Sequence, residues 1–200
     1  MAVFGHGTMR RRRDRVDLTY ADRLLTGVLA GARVELPIDV PASTGWTRGC
    51  YDDGPVTASW HIASNYNVSE QPASLEATFI DQAVALSTTF MLRDRRTPEL
   101  VTATVVGNVG DDAVVVNIAP GADQAHTFCA DGHVGSVRLA VIATIDQEQA
   151  TVGGIVDNQP VKLTATGSQH TPPNTISIQG QWPGPANLGL LMTTCLLYFL

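Results

Sequence analysis

The chain reads as all-β, an antiparallel sandwich or barrel with a short N-terminal helix and a basic arm ahead of it. Three observations predict this. Beyond residue 32, apolar side chains recur with a period of two in nine or more short runs, as strands with one buried face require. Valine, threonine and isoleucine dominate those runs, and branched side chains suit a pleated surface. Turn clusters punctuate them: Asp52-Asp53-Gly54-Pro55, Ala119-Pro120-Gly121, Asp131-Gly132, Thr171-Pro172-Pro173-Asn174 and Trp182-Pro183-Gly184-Pro185. With 200 residues, 44% hydrophobic and 16% charged, the chain can bury one core. It has neither a long Gly/Ser linker nor a fixed-period repeat. Residues 33–200 therefore form one β-domain, and residues 1–32 an Arg-rich arm ending in a helix.

The helix is predicted from Thr19 to Ala30, where Leu24, Leu25, Val28 and Leu29 share a face and Gly31 supplies a stop. The first strand follows at once. Val34, Leu36, Ile38 and Val40 alternate with Glu35, Pro37 and Asp39, and Pro37 puts this strand at a sheet edge. Val56, Ala58, Trp60 and Ile62 come next, then runs from Leu75 to Phe79 and from Val84 to Leu92. Val101, Ala103 and Val105 lead through the Gly107–Asp112 turn region to Val114, Val115, Val116 and Ile118. Further runs span Val137 to Ile145, Val161 to Ala165 and Ile176 to Ile178. The last, Leu188 to Leu200, is apolar on both sides but too short to span a bilayer. Thr193, Thr194, Tyr198 and Phe199 favour a strand there, buried centrally or against another subunit. Leu196, Leu197, Tyr198, Phe199 and Leu200 are thus candidate interface residues. The alternation also predicts one core between two sheets, built from Val34, Leu36, Ile38, Trp60, Ile62, Phe79, Leu86, Phe90, Val105, Val115, Leu139, Val141 and Leu163.

Charge is unevenly placed. Twelve of the thirteen basic residues are Arg, and residues 1–30 carry a net +3 against -9 for the remainder. The net charge of -6 argues against a protein whose whole surface grips nucleic acid, but not against a local basic contact. Arg10, Arg11, Arg12 and Arg13, with Arg15, repel one another unless they meet phosphates or an acidic surface, so they are the candidate partner or nucleic-acid contacts. Arginines ahead of the apolar Leu24–Ala32 segment have the flavour of an export signal. Asp14, Arg15, Asp17, Asp22 and Arg23 interrupt it, and retention is expected.

Catalytic signatures are scarce. The sequence has no Gly-x-Ser-x-Gly elbow, phosphate loop or dinucleotide fingerprint, and no pair among its five Glu stands out as an acid–base couple. His126, Cys129, Asp131 and His133 are zinc-compatible types within eight residues. A hairpin turning at Asp131-Gly132 would set the two histidines too far apart along its ladder to share an ion. Asp52-Asp53-Gly54 and Gly110-Asp111-Asp112 lack the alternating spacing of a calcium loop and read as hairpin tips. Asn67-Val68-Ser69 fits a glycosylation acceptor but has no export signal to support it. Cys50, Cys129 and Cys195 are too few and scattered for a disulfide framework. No catalytic residue, metal or cofactor is expected.

An Arg-rich arm, Arg10–Arg13, ahead of alternating strands from Val34 to Leu200 and Pro/Gly-rich loops resembles the plan of viral capsid and capsid-associated proteins built on a jelly roll. The resemblance implies a jelly-roll β-sandwich and a non-enzymatic virion subunit (capsid, decoration or spike) that self-assembles from cytoplasmic protein. It implies as partners further copies, other virion proteins and, through the arm, nucleic acid. A receptor- or glycan-binding module is the alternative, for which exposed aromatics among Trp46, Trp60, Trp182, Tyr51 and Tyr66 would speak. A small hydrolase or lyase on the same fold is the third.

Overall fold

In a computed structural model, residues 14–39, 44–62, 70–92, 100–121, 126–146, 148–168 and 174–199 are described. The strands are β1 (Arg15–Ala21), β2 (Leu24–Leu29), β3 (Ala32–Pro37), β4 (Thr44–Tyr51), β5 (Gly54–Ile62), β6 (Glu70–Phe79), β7 (Gln82–Leu92), β8 (Leu100–Val109), β9 (Asp112–Pro120), β10 (Thr127–Val134), β11 (Val137–Asp146), β12 (Gln149–Val156), β13 (Gln159–Gly167) and β14 (Ile176–Gln181), followed by helix α1 (Ala186–Phe199). Each strand pairs antiparallel with its chain neighbours, and β1 pairs with β14, closing the sheet into an up-and-down barrel. Jelly rolls need long crossovers between sheets; this chain instead turns back on itself at every step. The predicted two-sheet core is therefore one core inside one closed sheet.

Turn chemistry explains the meander. Along one rim the connections are Ala30-Gly31, Asp52-Asp53, Ile80-Asp81, Gly110-Asp111, Gly135-Ser136 and Asp157-Asn158, and each opens on a residue in the left-handed region. Such two-residue turns match the twist of the strands they join. We call this the tight-turn rim; the longer connections gather at the opposite one. Asp22 and Arg23, both left-handed, form another tight turn and break the predicted helix into β1 and β2. The helical reading arose because Leu25 and Leu29 are four apart. That spacing suits a helix, but here both point inward along one strand.

Closure sets the dimensions. Followed once around the barrel, the register advances by as many residues as there are strands. A shear equal to strand number tilts the strands by about 36° and, at ~4.8 Å between neighbours, gives a backbone radius of roughly 13 Å. Eight strands can fill such an interior with side chains; fourteen cannot. Inward positions are mainly apolar, with Thr47, Gln71 and Thr88 as polar exceptions, and among the described residues no charged side chain takes the inward phase. No helix among the described residues is long and apolar enough to cross a membrane.

The C-terminal segment meets the need for filling. Predicted as a strand, Ala186–Phe199 is a helix, and a helix apolar on all sides belongs in an interior. It starts at the tight-turn rim, where Trp182, 1% exposed, donates from Nε1 to the Pro185 carbonyl at 2.9 Å. Asn187 Nδ2 donates to Gln82 Oε1 at the start of β7, 2.9 Å away. Leu190, Thr193, Leu196 and Leu197 are buried, α1 packs against β2, and the inward residues of β2 and its neighbours, Leu18, Leu25, Leu163, Ile176 and Ile178, are wholly enclosed. Leu196 and Leu197, expected at a subunit interface, are thus covered by their own chain. Leu200 and the side chains of Tyr198 and Phe199 lie outside the described residues.

The other face of α1 is less well packed. Leu188, Leu191 and Met192 are only half-buried, and the Cys195 side chain is exposed although it stands inside the barrel. It borders an internal space, closed off enough from bulk water that burial pushes its thiol from 9.0 to about 11. Opposite it, the inward-facing Trp60, Leu75, Ala77, Phe79, Val105 and Ile118 are also only partly buried. Of the other predicted core residues, Val34, Leu36, Ile38, Leu86, Leu139, Val141 and Leu163 are buried, whereas Val115 points outward and its neighbours Val114 and Val116 point in. Cys50, Cys129 and Cys195 are free thiols.

Glycine allows the wall to bend. Gly107, at φ +145, faces the interior where β8 crosses β7, and a Cβ there would fall on the Ala85 carbonyl oxygen. Gly180 does the same beside Lys162 on the β13–β14 seam. We expect Gly107→Ala to lower stability by about 2–3 kcal/mol, read from urea unfolding, since both the backbone and the neighbouring strand must shift. A second expectation concerns pH. The folded state holds the Cys195 proton more tightly than the unfolded chain, so unfolding releases it above pH 9. Stability from this group is level below about pH 9 and falls between pH 9 and 11. Tyr51, whose phenol is raised by burial and by the Asp52 charge, acts in the same direction, so wild type is compared with Cys195→Ala. The alanine variant should lose less stability than wild type between pH 9 and 11 in denaturant titrations.

Candidate functional site

The barrel register builds a concave site on the outer wall. Along β5 to β8 the directly opposed, outward residues are His61, Ser74, Ser87 and Val106, with Thr44 of β4 completing the row beside His61. One step toward the long-connection rim the row is Pro72, Thr89 and Thr104. Opposed side chains on neighbouring strands stand about 5 Å apart, so these residues form a continuous hydroxyl-rich strip. Together with Ala73 and Thr88, all but Thr44 line an open cavity of about 370 Å³. Thr44 Oγ1 and His61 Nδ1 share a 2.9 Å hydrogen bond, and Thr104 Oγ1 donates to Asn117 Oδ1 at 3.0 Å. Both contacts fix lining side chains through neighbours just outside the cavity.

Trp46 stands beside this strip. It lies two residues along β4 from Thr44, on the same outer face and opposite Ser59, and it is 77% exposed. The other aromatics named from the sequence point elsewhere. Trp60 faces the interior, Trp182 plugs the tight-turn rim, and Tyr51 is buried with its hydroxyl donating to the Leu29 carbonyl at 3.0 Å. Tyr66 lies outside the described residues. An indole left in water next to hydroxyls and an imidazole is an incomplete contact.

Among the described residues the strip is uncharged: no carboxylate lines it, and the polar partner of the His61 ring is the neutral Thr44 hydroxyl. Ser74 lies opposite His61, but a serine hydrolase also needs an acid to orient and stabilise the imidazolium. The arrangement is suited to binding through hydrogen bonds and apolar stacking.

The other candidates separate. His126 lies before β10 and His133 near its far end, with Cys129, Asp131 and His133 on the outer face between. The hairpin turns at Gly135-Ser136, not at Asp131-Gly132, so His133 is opposite Arg138. Among the described residues, no three His, Cys, Asp or Glu side chains converge to hold a metal ion. Asp52-Asp53 and Gly110-Asp111 are hairpin turns. Arg15 is on β1, outward, paired with Asp17; Arg10, Arg11, Arg12, Arg13 and the Asn67-Val68-Ser69 triplet lie outside the described residues. No family model matches the chain, and neither a curated protein nor a solved structure matches it.

Sequence reasoning singled out Trp46 but not the strip. Thr44, His61, Ser74, Ser87 and Thr104 are separated by 13 to 17 residues, and only the hairpin register aligns them. Their one sequence signal is that each occupies the polar phase of its strand, as any solvated face would.

Proposed function

We propose that this chain is a non-catalytic binding barrel whose outer face at β4–β8 takes a neutral, polyhydroxylated ligand such as a glycan. The observation that carries the reading is Trp46, exposed beside the hydroxyl strip. A chain of pyranose rings offers an apolar face for the indole, hydroxyls for His61 and Ser74 and, in rings farther along the strip, for Ser87, Thr89 and Thr104, and it brings no charge that the strip would have to neutralise. The test is retention of the purified chain on an array of neutral glycans. We expect Trp46→Ala to weaken retention at least tenfold while changing stability by no more than about 0.5 kcal/mol, because an exposed outward side chain holds little of the fold. Retention that is absent, or equal in the variant, overturns the proposal.

A second reading, a virion structural subunit assembled from cytoplasmic protein, draws support from two features. Ile142 and Ile155, each about half exposed, lie diagonally across the outer face of β11 and β12, opposite Gly153 and Ala140, an apolar patch suited to a neighbouring copy. The Arg-rich arm precedes Asp14, whose carbonyl accepts from the Trp182 backbone N–H at 2.7 Å, so its root is tied to the plugged rim. Removing residues 1–13 spares that bond and should leave the barrel folded. On this reading the truncation also lowers the assembled mass in light scattering, and wild-type assembly falls as salt rises. Monomers at all salt concentrations in the intact protein would dismiss it.

A further inference from the structure

The outer strip is longer in one direction than in the other. Along each strand it is two outward rows wide, about 7 Å, as with Pro72 and Ser74 on β6 or Ser87 and Thr89 on β7. Across the strands it runs from β5 to β8, and Thr44 and Trp46 extend it onto β4. At ~4.8 Å per inter-strand gap, the reach from β4 to β8 is about 19 Å. The row does not stop at a wall. Past Val106 it continues onto β9 at Val115, which is 37% exposed, and at the other end Trp46 is 77% exposed. A chain-like ligand can therefore lie through the strip and run on past both ends.

The strand spacing also sets a repeat. In a pyranose chain joined through equatorial 1,4 linkages the backbone is extended, and each ring advances by close to one inter-strand gap of ~4.8 Å. Rings laid across the strands then meet successive hydroxyls in step: Ser74 on β6, Ser87 on β7 and Thr104 on β8. An axial linkage coils the chain and loses that step within a few rings. Charge borders the strip on both sides. Along β6 the outward residues are Glu70, Pro72, Ser74 and Glu76, so each exposed carboxylate stands two residues, about 7 Å, from the nearest lining side chain. That lies within a Debye length at physiological salt, and among the described residues no ammonium or guanidinium group lines the strip to offset it.

We propose, resting on the glycan reading above, that the strip takes an extended, equatorially 1,4-linked chain across β4–β8, about four rings at one per inter-strand gap. The first rings lie against Trp46 and His61 and the last against Thr104. Glu70 and Glu76 set the charge preference, repelling chains of the same backbone that carry carboxylates.

The test is calorimetric titration of the full chain with β-1,4-linked glucose oligomers of two to six rings. Affinity should rise at least tenfold from the disaccharide to the tetrasaccharide and then level off, changing by no more than about threefold up to the hexasaccharide. The α-1,4-linked tetrasaccharide, the same sugar on a coiled backbone, should bind at least fivefold more weakly. Thr104→Ala, at the far end from Trp46, should weaken the tetrasaccharide about fivefold and leave the disaccharide within about twofold. The β-1,4-linked glucuronate tetramer should bind at least fivefold more weakly than its neutral counterpart at low salt, and Glu76→Gln should narrow that gap. No binding by the β-linked series, no gain with length, or equal binding of the two linkages overturns the extended chain. Equal binding of the neutral and glucuronate tetramers overturns the role given to Glu70 and Glu76. Neither result touches the glycan reading itself, which Trp46-dependent retention of any neutral glycan on the array scores separately.

Discussion

Closure of the sheet governs everything else in this molecule. Once β1 pairs with β14, no strand edge remains open, and the barrel radius follows from strand number and register alone. That radius exceeds what two opposing layers of side chains can fill. A helix with side chains is about 10–12 Å across, close to the gap that a fourteen-stranded wall leaves. The apolar C-terminus is therefore a structural requirement of the barrel. It also explains why Trp182 is enclosed: the chain must turn from the wall into the lumen, and the indole seals the rim where it does so.

The fit is asymmetric, and the asymmetry organises the rest. A cylinder resting on one side of a wider cylinder packs tightly there and loosely across. Leu18, Leu25, Leu163, Ile176 and Ile178 are fully enclosed on the near side, while Trp60, Leu75, Phe79 and Val105 on the far side are not. The far side also carries β7, the longest strand, and the outer hydroxyl strip. The inner and outer features of β5–β8 thus share one stretch of wall, with alternate residues serving opposite faces.

The outer strip shows how a meander concentrates chemistry. Each antiparallel hairpin brings residues from successive strands opposite one another, so one hydroxyl on each of several strands becomes a surface of several hydroxyls. The same register scatters residues that are close in sequence. His126 and His133 belong to one segment but stand at opposite ends of β10, whereas Thr44 and His61, seventeen residues apart, are hydrogen-bonded.

Alternation and turn chemistry determined that the chain is all-β, that its sheet is antiparallel and where most strands run. Val34, Leu36, Leu86, Leu139, Val141 and Leu163 were legible as core because period-two patterning is a local property of the strand. Val115 was not, since a run of three valines carries no phase of its own; the partner strands set it. Leu25 and Leu29 fit both periods, and only the left-handed Asp22-Arg23 turn and pairing on either side decided for strands. At the other end the choice went to a helix. The apolar run from Leu188 has no favoured face, and a strand there would have needed two neighbours when closure had left no edge to join. Whether a sheet closes depends on the register summed over every hairpin, which no local window contains. Closure, the lumen and the alignment of Thr44, His61, Ser74 and Ser87 were therefore decided by tertiary structure.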